Sequence, residues 1–269
     1  MTHEWNEERA RNWHLFRPPA RPSRAEVAHY AAVLAQAPRQ CAWGLLGSTP
    51  ELRSLAAAAN QPLVCIDRDE MVFTTLTSLV GVPNGEERFV CSDWLSARLN
   101  QPLSIVMGDG SINMLPPDRH GPLLATVYDM LAPGGLALLR VHLAAPPRFP
   151  DPAAVFRAYR SAGGGEPVFT ATRTDLDMLW LEPGSLHLNF ADCHARLERL
   201  YAQGVIRTEE FTGYHQLLRF NRIDFWYLAR ERFERLLAPW FDIEDIAHGC
   251  DYTLAAQHPL YTLRRRDTV

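Results

Sequence analysis

Apolar residues in this chain fall into short runs separated by polar or alanine- and leucine-rich stretches of helical length. Runs at residues 41–47, 63–66, 88–91, 103–107 and 136–141 have the length of strands bounded by turn residues. Between them stand an alanine-rich segment at 51–59 and a leucine-rich one at 123–131, the latter stopping at Pro133-Gly134-Gly135, a strong terminator. Strands alternating with helices predict an α/β fold around a parallel, doubly wound sheet, with ligands at the carboxyl ends of the strands. The last runs, 241–246 and 260–264, predict two terminal strands. Pro146-Pro147-Arg148-Phe149-Pro150 and Gly163-Gly164-Gly165 punctuate a loop or lid after the fifth run. Beyond it, 175–181 and 191–202 read as helical. Residues 220–237 read as one amphipathic helix that packs Trp226, Tyr227, Phe233 and Leu237 into the core. No internal repeat or low-complexity segment is present.

Composition narrows the class. A chain of 269 residues, 47% hydrophobic, can bury a full core as one elaborated domain. A formal charge of −4 gives no basic face for nucleic acid. The longest apolar stretches are strand-sized, which argues against a membrane span, and the polar N-terminus does not read as a secretory signal. Cys41, Cys65, Cys91, Cys193 and Cys250 are odd in number and widely spaced. They read as reduced core thiols of a cytoplasmic protein, without disulfide or zinc spacing.

The first βαβ unit carries the most chemistry. Its strand ends at Gly47, where a missing Cβ lets backbone approach a ligand closely. Ser48 or Thr49 suits the N-cap of the next helix, Pro50 its first position and Glu51 its first turn. Asp67 ends the second strand, 20 residues after Gly47, where a carboxylate can accept both hydroxyls of a ribose. A dinucleotide site wants Gly-x-Gly-x-x-Gly, so that amides at the helix start can cradle a pyrophosphate. Here Gly44 and Gly47 are three apart, no glycine follows until Gly81, and Glu51 puts a negative charge in that turn. The pattern favours a ligand with a ribose and no phosphate, such as S-adenosylmethionine. Asp93, followed by Trp94, ends the third strand, and Asp109, flanked by Gly108 and Gly110, ends the fourth. Each alone suits a helix cap; three acids on one rim predict a polar site. Ser111 and Asn113 add short polar groups beside it.

On these residues, and on Leu131-Ala132-Pro133-Gly134-Gly135-Leu136, the chain resembles the class I S-adenosylmethionine-dependent methyltransferases over residues 41–142. The resemblance implies a seven-stranded, mostly parallel sheet in the order 3-2-1-4-5-7-6, with a helical lid insertion between strands 5 and 6. It divides the chain into an N-terminal helical cap (1–40), a Rossmann-like cofactor-binding core (41–147), an acceptor-pocket lid (148–238) and terminal strands (239–269). It implies that Gly47, Ser48 and Thr49 wrap the methionine part of the cofactor. Asp67, with Arg68 beside it, would hold the ribose, and Asp93 and Trp94 the adenine. Asp109, Gly110 and Ser111 would lie near the methyl donor. The family's usual acid two residues before the first glycine is replaced by Leu45, which leaves the group for the cofactor's ammonium open: Asp109 is one candidate, with orienting the acceptor as its other role, and the N-terminal segment 13–23 is another contributor. Arg21 is the candidate for its carboxylate and Trp13 for a cover; their structural alternatives are a solvated charge and a helix anchor.

The lid supplies Trp180, His187, Asn189, His194, Tyr201, Tyr214, His215, Trp226 and Tyr227. His187 and His194 are candidate general bases, since histidine titrates near neutrality. They are seven apart, with no acidic third ligand read at helical spacing, which argues against a metal. No Gly-x-Ser-x-Gly elbow supports Ser-His-Asp hydrolysis. The expected activity is methyl transfer from S-adenosylmethionine to oxygen or nitrogen of a small-molecule acceptor, with a homodimer left open and no nucleic-acid or membrane partner. A non-catalytic adenosylmethionine-binding protein and an NAD(P)-dependent oxidoreductase are the alternatives.

Overall fold

Every apolar run becomes a strand, and the reason lies in how the two faces are covered. In the computed structural model, residues 12–81, 85–162, 171–219 and 221–267 are described; the Gly163-Gly164-Gly165 run expected in the loop or lid, and Phe220, lie outside them. In chain order, the N-terminal part is α1 (Arg24–Gln36), β1 (Trp43–Leu46), α2 (Pro50–Ala58), β2 (Leu63–Asp67), α3 (Glu70–Thr77) and β3 (Glu87–Cys91). Then follow β4 (Leu103–Asp109), α4 (His120–Met130) and β5 (Leu131–Arg140). Trp43 and Leu45 of β1 pack with Tyr30 and Leu34 of α1, while Leu46 packs with Leu124 and Val127 of α4 on the other side. Alternate residues of β2 and β4 divide between the same two clusters. A strand buried on both faces has no polar face to show, hence the continuous runs.

β8 (Phe241–Ala247) and β9 (Leu260–Arg265) complete one seven-stranded sheet in the order β3-β2-β1-β4-β5-β9-β8, parallel except at β9. This is the expected order once the two strands of the lid are set aside. The Pro-Gly-Gly turn does not precede strand five, as expected, but lies inside it. β5 begins at Leu131, and its pairing to β4 jumps from Leu103↔Leu131 to Ile105↔Leu136. Gly135 permits this: a Cβ there would meet the Ala132 carbonyl oxygen at 2.9 Å and that of Ser104 at 3.1 Å.

The insertion comprises α5 (Pro152–Ala162), α6 (Arg173–Trp180), β6 (His187–Asn189), α7 (Phe190–Ala202), α8 (Thr208–Leu218), β7 (Asp224–Trp226) and α9 (Arg230–Leu237). Residues 220–237 are therefore not one helix. Asn221 Oδ1 accepts the Ile223 N–H at 3.0 Å, turning the chain, and Asp224–Trp226 pairs antiparallel with β6. Trp226 is half-buried in that ribbon and Tyr227 is buried just after it; only Phe233 and Leu237 lie in the helix. The insertion has its own apolar cluster, which also takes Trp13 and Phe16 from the N-terminal segment and Val72 and Leu76 from α3. It is laced to the sheet where the Leu228 N–H meets the His142 carbonyl (3.0 Å) and the Ala144 N–H that of Leu228 (2.9 Å).

Two smaller expectations are corrected. Cys91 and Cys250 are exposed and Cys41 is half-buried, so only Cys65 and Cys193 are core thiols. Cys91 sits on β3, whose outer edge has no neighbouring strand among the described residues. Thr49 occupies the N-cap of α2, but its side chain makes no cap bond, and Ser48 Oγ has no partner either. Among the described residues no helix is long and apolar enough to cross a membrane.

Candidate active site

Two cavities open at the carboxyl ends of the parallel strands and share Asp109 and Met114 as a common wall. The first, of about 160 Å³, is lined by Gly47, Ser48, Thr49, Asp67, Arg68, Asp93, Trp94, Asp109 and Ser111, closed by Val72 and Leu76 of α3. Nine residues expected from sequence at a cofactor thus meet in one place. Gly47 has φ 99°, a conformation that costs an L side chain about 1–3 kcal/mol. It stands between the Trp94 ring and the Asp67 carboxylate. The Trp94 ring is fixed by its Nε1–H, which donates to the Ile66 carbonyl at 2.6 Å. Asp67 Oδ1 accepts the amides of Arg68 (2.7 Å) and Asp69 (3.3 Å), which aims the carboxylate along the rim. Asp93 caps its own turn by accepting from the Leu95 amide (2.9 Å) and also lines the cavity, so cap and site coincide. Its contact with Arg68, 3.5 Å between largely exposed groups, contributes little.

The second cavity, of about 110 Å³, lies between β4, β5 and the insertion. Its apolar walls are Phe16, Met114, Phe190, Ile223 and Phe225; its polar groups are Asp109, Arg140, His142, Arg173, Asp177, Asn221 and Tyr227. Gly110 lines it too, and a Cβ there would come 3.4 Å from His142 Nε2, so glycine leaves that nitrogen room. His142 Nδ1 is buried without a hydrogen-bond partner. The ring packs edge-on against His258, centroids 4.6 Å apart. Burial first, then the charges of His258 and Arg140, hold the His142 pKa well below the usual histidine value, so the ring is neutral. Asn113 holds this strand end: it accepts the His142 amide (3.0 Å) and donates to the carbonyls of His142 (3.0 Å) and Trp226 (2.7 Å).

Asp109 Oδ1 accepts from Arg140 Nε at 2.6 Å. Arg140, 1% exposed, also faces Glu26 Oε1 at 3.4 Å and donates to the Pro19 carbonyl at 2.8 Å. Glu26 in turn closes the capping box of α1 with Ser23 and accepts from the Tyr252 hydroxyl at 2.6 Å. The charge of Asp109 is therefore balanced within the protein. Burial alone would lower the Arg140 pKa; the carboxylates of Asp109 and Glu26 more than offset this and raise it.

Asp177 is buried beside the second cavity, accepts from the Tyr227 hydroxyl at 2.8 Å and lies 3.9 Å from Arg173. Burial pushes its carboxyl up to about 6, against the opposing influence of Arg173 and Tyr227. Between about pH 4 and 6 this carboxyl binds more protons folded than unfolded, so its contribution to stability falls as pH rises through that window. Asp177→Asn keeps the shape without the charge. Urea titrations at about pH 4.5 and 7 should show the parent losing about 2–3 kcal/mol more than the variant over that step. An equal pH dependence in both proteins would contradict this assignment.

The remaining candidates lie elsewhere. Arg21 Nε pairs with Glu51 at 3.0 Å, and its Nη1 donates to the Trp13 carbonyl at 3.3 Å; neither residue lines the first or second cavity. Glu51 is thereby matched by a cation beside the start of α2. His187 binds Asp224 at 2.9 Å in the lid ribbon, and His194 meets His215; neither lines the two cavities. Arg140, His142 and Asp177 escaped the sequence reading. His142 had a usable signal, because it stands two residues past β5, on the rim where the acids end β2 and β4.

No protein-family profile matches the chain, and no curated protein matches it in sequence. Solved structures match over most of its length. The CcbJ methyltransferase from Streptomyces caelestis is 12% identical, with 98% of each chain covered and a TM-score of 0.64. A structure described as a putative Zn-dependent alcohol dehydrogenase from Rhodobacter sphaeroides is 16% identical, with 98% of each chain covered and a TM-score of 0.62. The 1,6-didemethyltoxoflavin-N1-methyltransferase of Burkholderia thailandensis, with its namesake substrate and S-adenosylhomocysteine bound, is 16% identical over 90% of this chain and 76% of that one, TM-score 0.51. With its strand order and these structural neighbours, mostly methyltransferases, the chain has the fold of the class I S-adenosylmethionine-dependent methyltransferases.

Proposed function

We propose that this protein is an S-adenosylmethionine-dependent methyltransferase whose acceptor is a small molecule held in the second cavity. The observation that carries the reading is the shared wall: one cavity with a ribose-type carboxylate rim and one lined by aromatic rings meet at Asp109 and Met114. The first cavity fits the cofactor chemically. Ser48 Oγ is buried there without a partner, and Gly47 keeps the loop free of a side chain between Trp94 and Asp67. Gly47, Ser48 and Thr49 are assigned to its methionine end, Asp67 to its ribose hydroxyls, and Asp93 and Trp94 to its adenine. Bound there, S-adenosylmethionine supplies a methyl group already activated on a sulfonium. The chain's part is to align the acceptor, exclude water and receive the acceptor's proton where one is lost. Phe16, Phe190 and Phe225 suit a flat acceptor, and neutral His142 is the group assigned to take its proton. Asp109, already paired with Arg140, is assigned to orienting ligands at the common wall rather than to balancing an ammonium.

Calorimetry with S-adenosylmethionine, S-adenosylhomocysteine and NAD tests the cofactor, and formation of S-adenosylhomocysteine with cell metabolites tests turnover. Binding of NAD alone would overturn the reading; tight binding without turnover would leave a binding protein. On this assignment Asp67→Ala would remove charge-assisted bonds to the ribose worth roughly 1.5–3 kcal/mol, and it is expected to weaken S-adenosylmethionine binding at least about tenfold without unfolding the chain.

A further inference from the structure

The geometry points to a second, separate ligand site in the lid: His194, Glu198 and His215 form a site for one divalent transition-metal ion of the zinc type. α7 and α8 form a helical hairpin joined by residues 203–207. His194 and Glu198 stand one turn apart on α7, which puts them on the same face and corrects the expectation that no acid stands at helical spacing from these histidines. His215 comes from α8. Its Nδ1 lies 3.1 Å from His194 Nε2, and Glu198 Oε1 lies 3.8 Å from His194 Nδ1. One ligand atom from each residue falls within 4.8 Å of the others. Ligands of a tetrahedral ion with bonds of about 2.0–2.1 Å stand about 3.3 Å apart, so the histidines already have that separation. Only Glu198 must swing inward, and its half-exposed carboxylate is able to do so.

The surroundings suit this set. Phe211 stacks on the His194 ring, with centroids 6.3 Å apart, and Tyr201 stacks on Phe211 at 4.5 Å, which fixes the imidazole on its helix. Two imidazoles and a carboxylate favour Zn²⁺ and its neighbours over Ca²⁺ or Mg²⁺. Arg222 is the nearby charge that opposes a cation. Solvent beside Glu198 supplies a fourth ligand. The ion would tie together two helices whose ends reach the second cavity: Phe190 begins α7, and Asn221 and Ile223 follow α8. The alternative, a neutral histidine–histidine hydrogen bond, requires no ion.

The full chain, stripped with chelator, should be titrated with Co²⁺ at about pH 7.5. Visible d–d absorption should saturate at one ion per chain, Zn²⁺ should bleach it, and excess Zn²⁺ should raise the melting temperature. Glu198→Ala, on an exposed side chain, should weaken binding at least about tenfold without altering the fold, and His215→Ala should abolish the bands. No absorption up to millimolar Co²⁺, or bands that persist in both variants, would overturn the site. Neither result bears on the cofactor binding tested above.

Discussion

Arg140→Ala is expected to destabilise the protein by about 3–5 kcal/mol, the largest effect of any single substitution considered for this chain. The guanidinium is 1% exposed and carries the only charge that faces both Asp109 and Glu26 within 4 Å among the described residues. Removing it strands two carboxylates in a buried site, where each must be protonated or drag in water. It also frees the Pro19 carbonyl and loosens the capping box of α1, because Glu26 links Ser23 to Tyr252 and Arg140. Typical domains are stable by only about 5–15 kcal/mol, so urea denaturation should show a midpoint shift of about a fifth or more. A loss below about 1 kcal/mol would mean that the network is solvated and that Asp109 can meet a ligand's ammonium after all. Glu26→Gln should cost less, since a neutral amide still bonds Ser23 while Arg140 keeps Asp109.

His142→Ala is expected to lower turnover by a factor of about 10² to 10⁴ while leaving S-adenosylmethionine affinity within a few-fold. The split follows from position: His142 lines only the second cavity, on the far side of the wall at Asp109 and Met114 from the ribose rim. Its ring is held by Asn113 through the backbone and by Phe225, Tyr227 and His258 around its edges, so the nitrogen facing Gly110 is preorganised. His187→Ala, at a histidine outside both cavities, should leave turnover near the parent's. If the His142 variant turns over normally while the His187 variant does not, the acceptor lies elsewhere in the lid.

The α/β class, the five core strands and the acid rim were legible because each rests on local physics. A strand buried on both faces must be apolar throughout, as in β1, β2 and β4. A ligand-side loop must shed side chains at Gly47, Asp67 and Asp109 end their strands, and Asp93 stands two residues past β3. These features need no knowledge of what packs against what. Residues 220–237 misled because one apolar periodicity served two elements: Asn221 turned the chain and β6 offered backbone partners that a lone helix lacks. Arg140 reads in sequence as the polar end of a strand. It is central only because α1 and residues 19 and 252, distant along the chain, close over it. The histidines show the same divide. Sequence singled out His187 and His194 by composition, but the helical hairpin turned His194 towards His215 and the ribbon paired His187 with Asp224. His142, by contrast, was placed at the second cavity by the return of the insertion through Leu228. Local pattern determined the sheet and its acid rim; the second cavity, built from segments more than a hundred residues apart, was decided by tertiary packing alone.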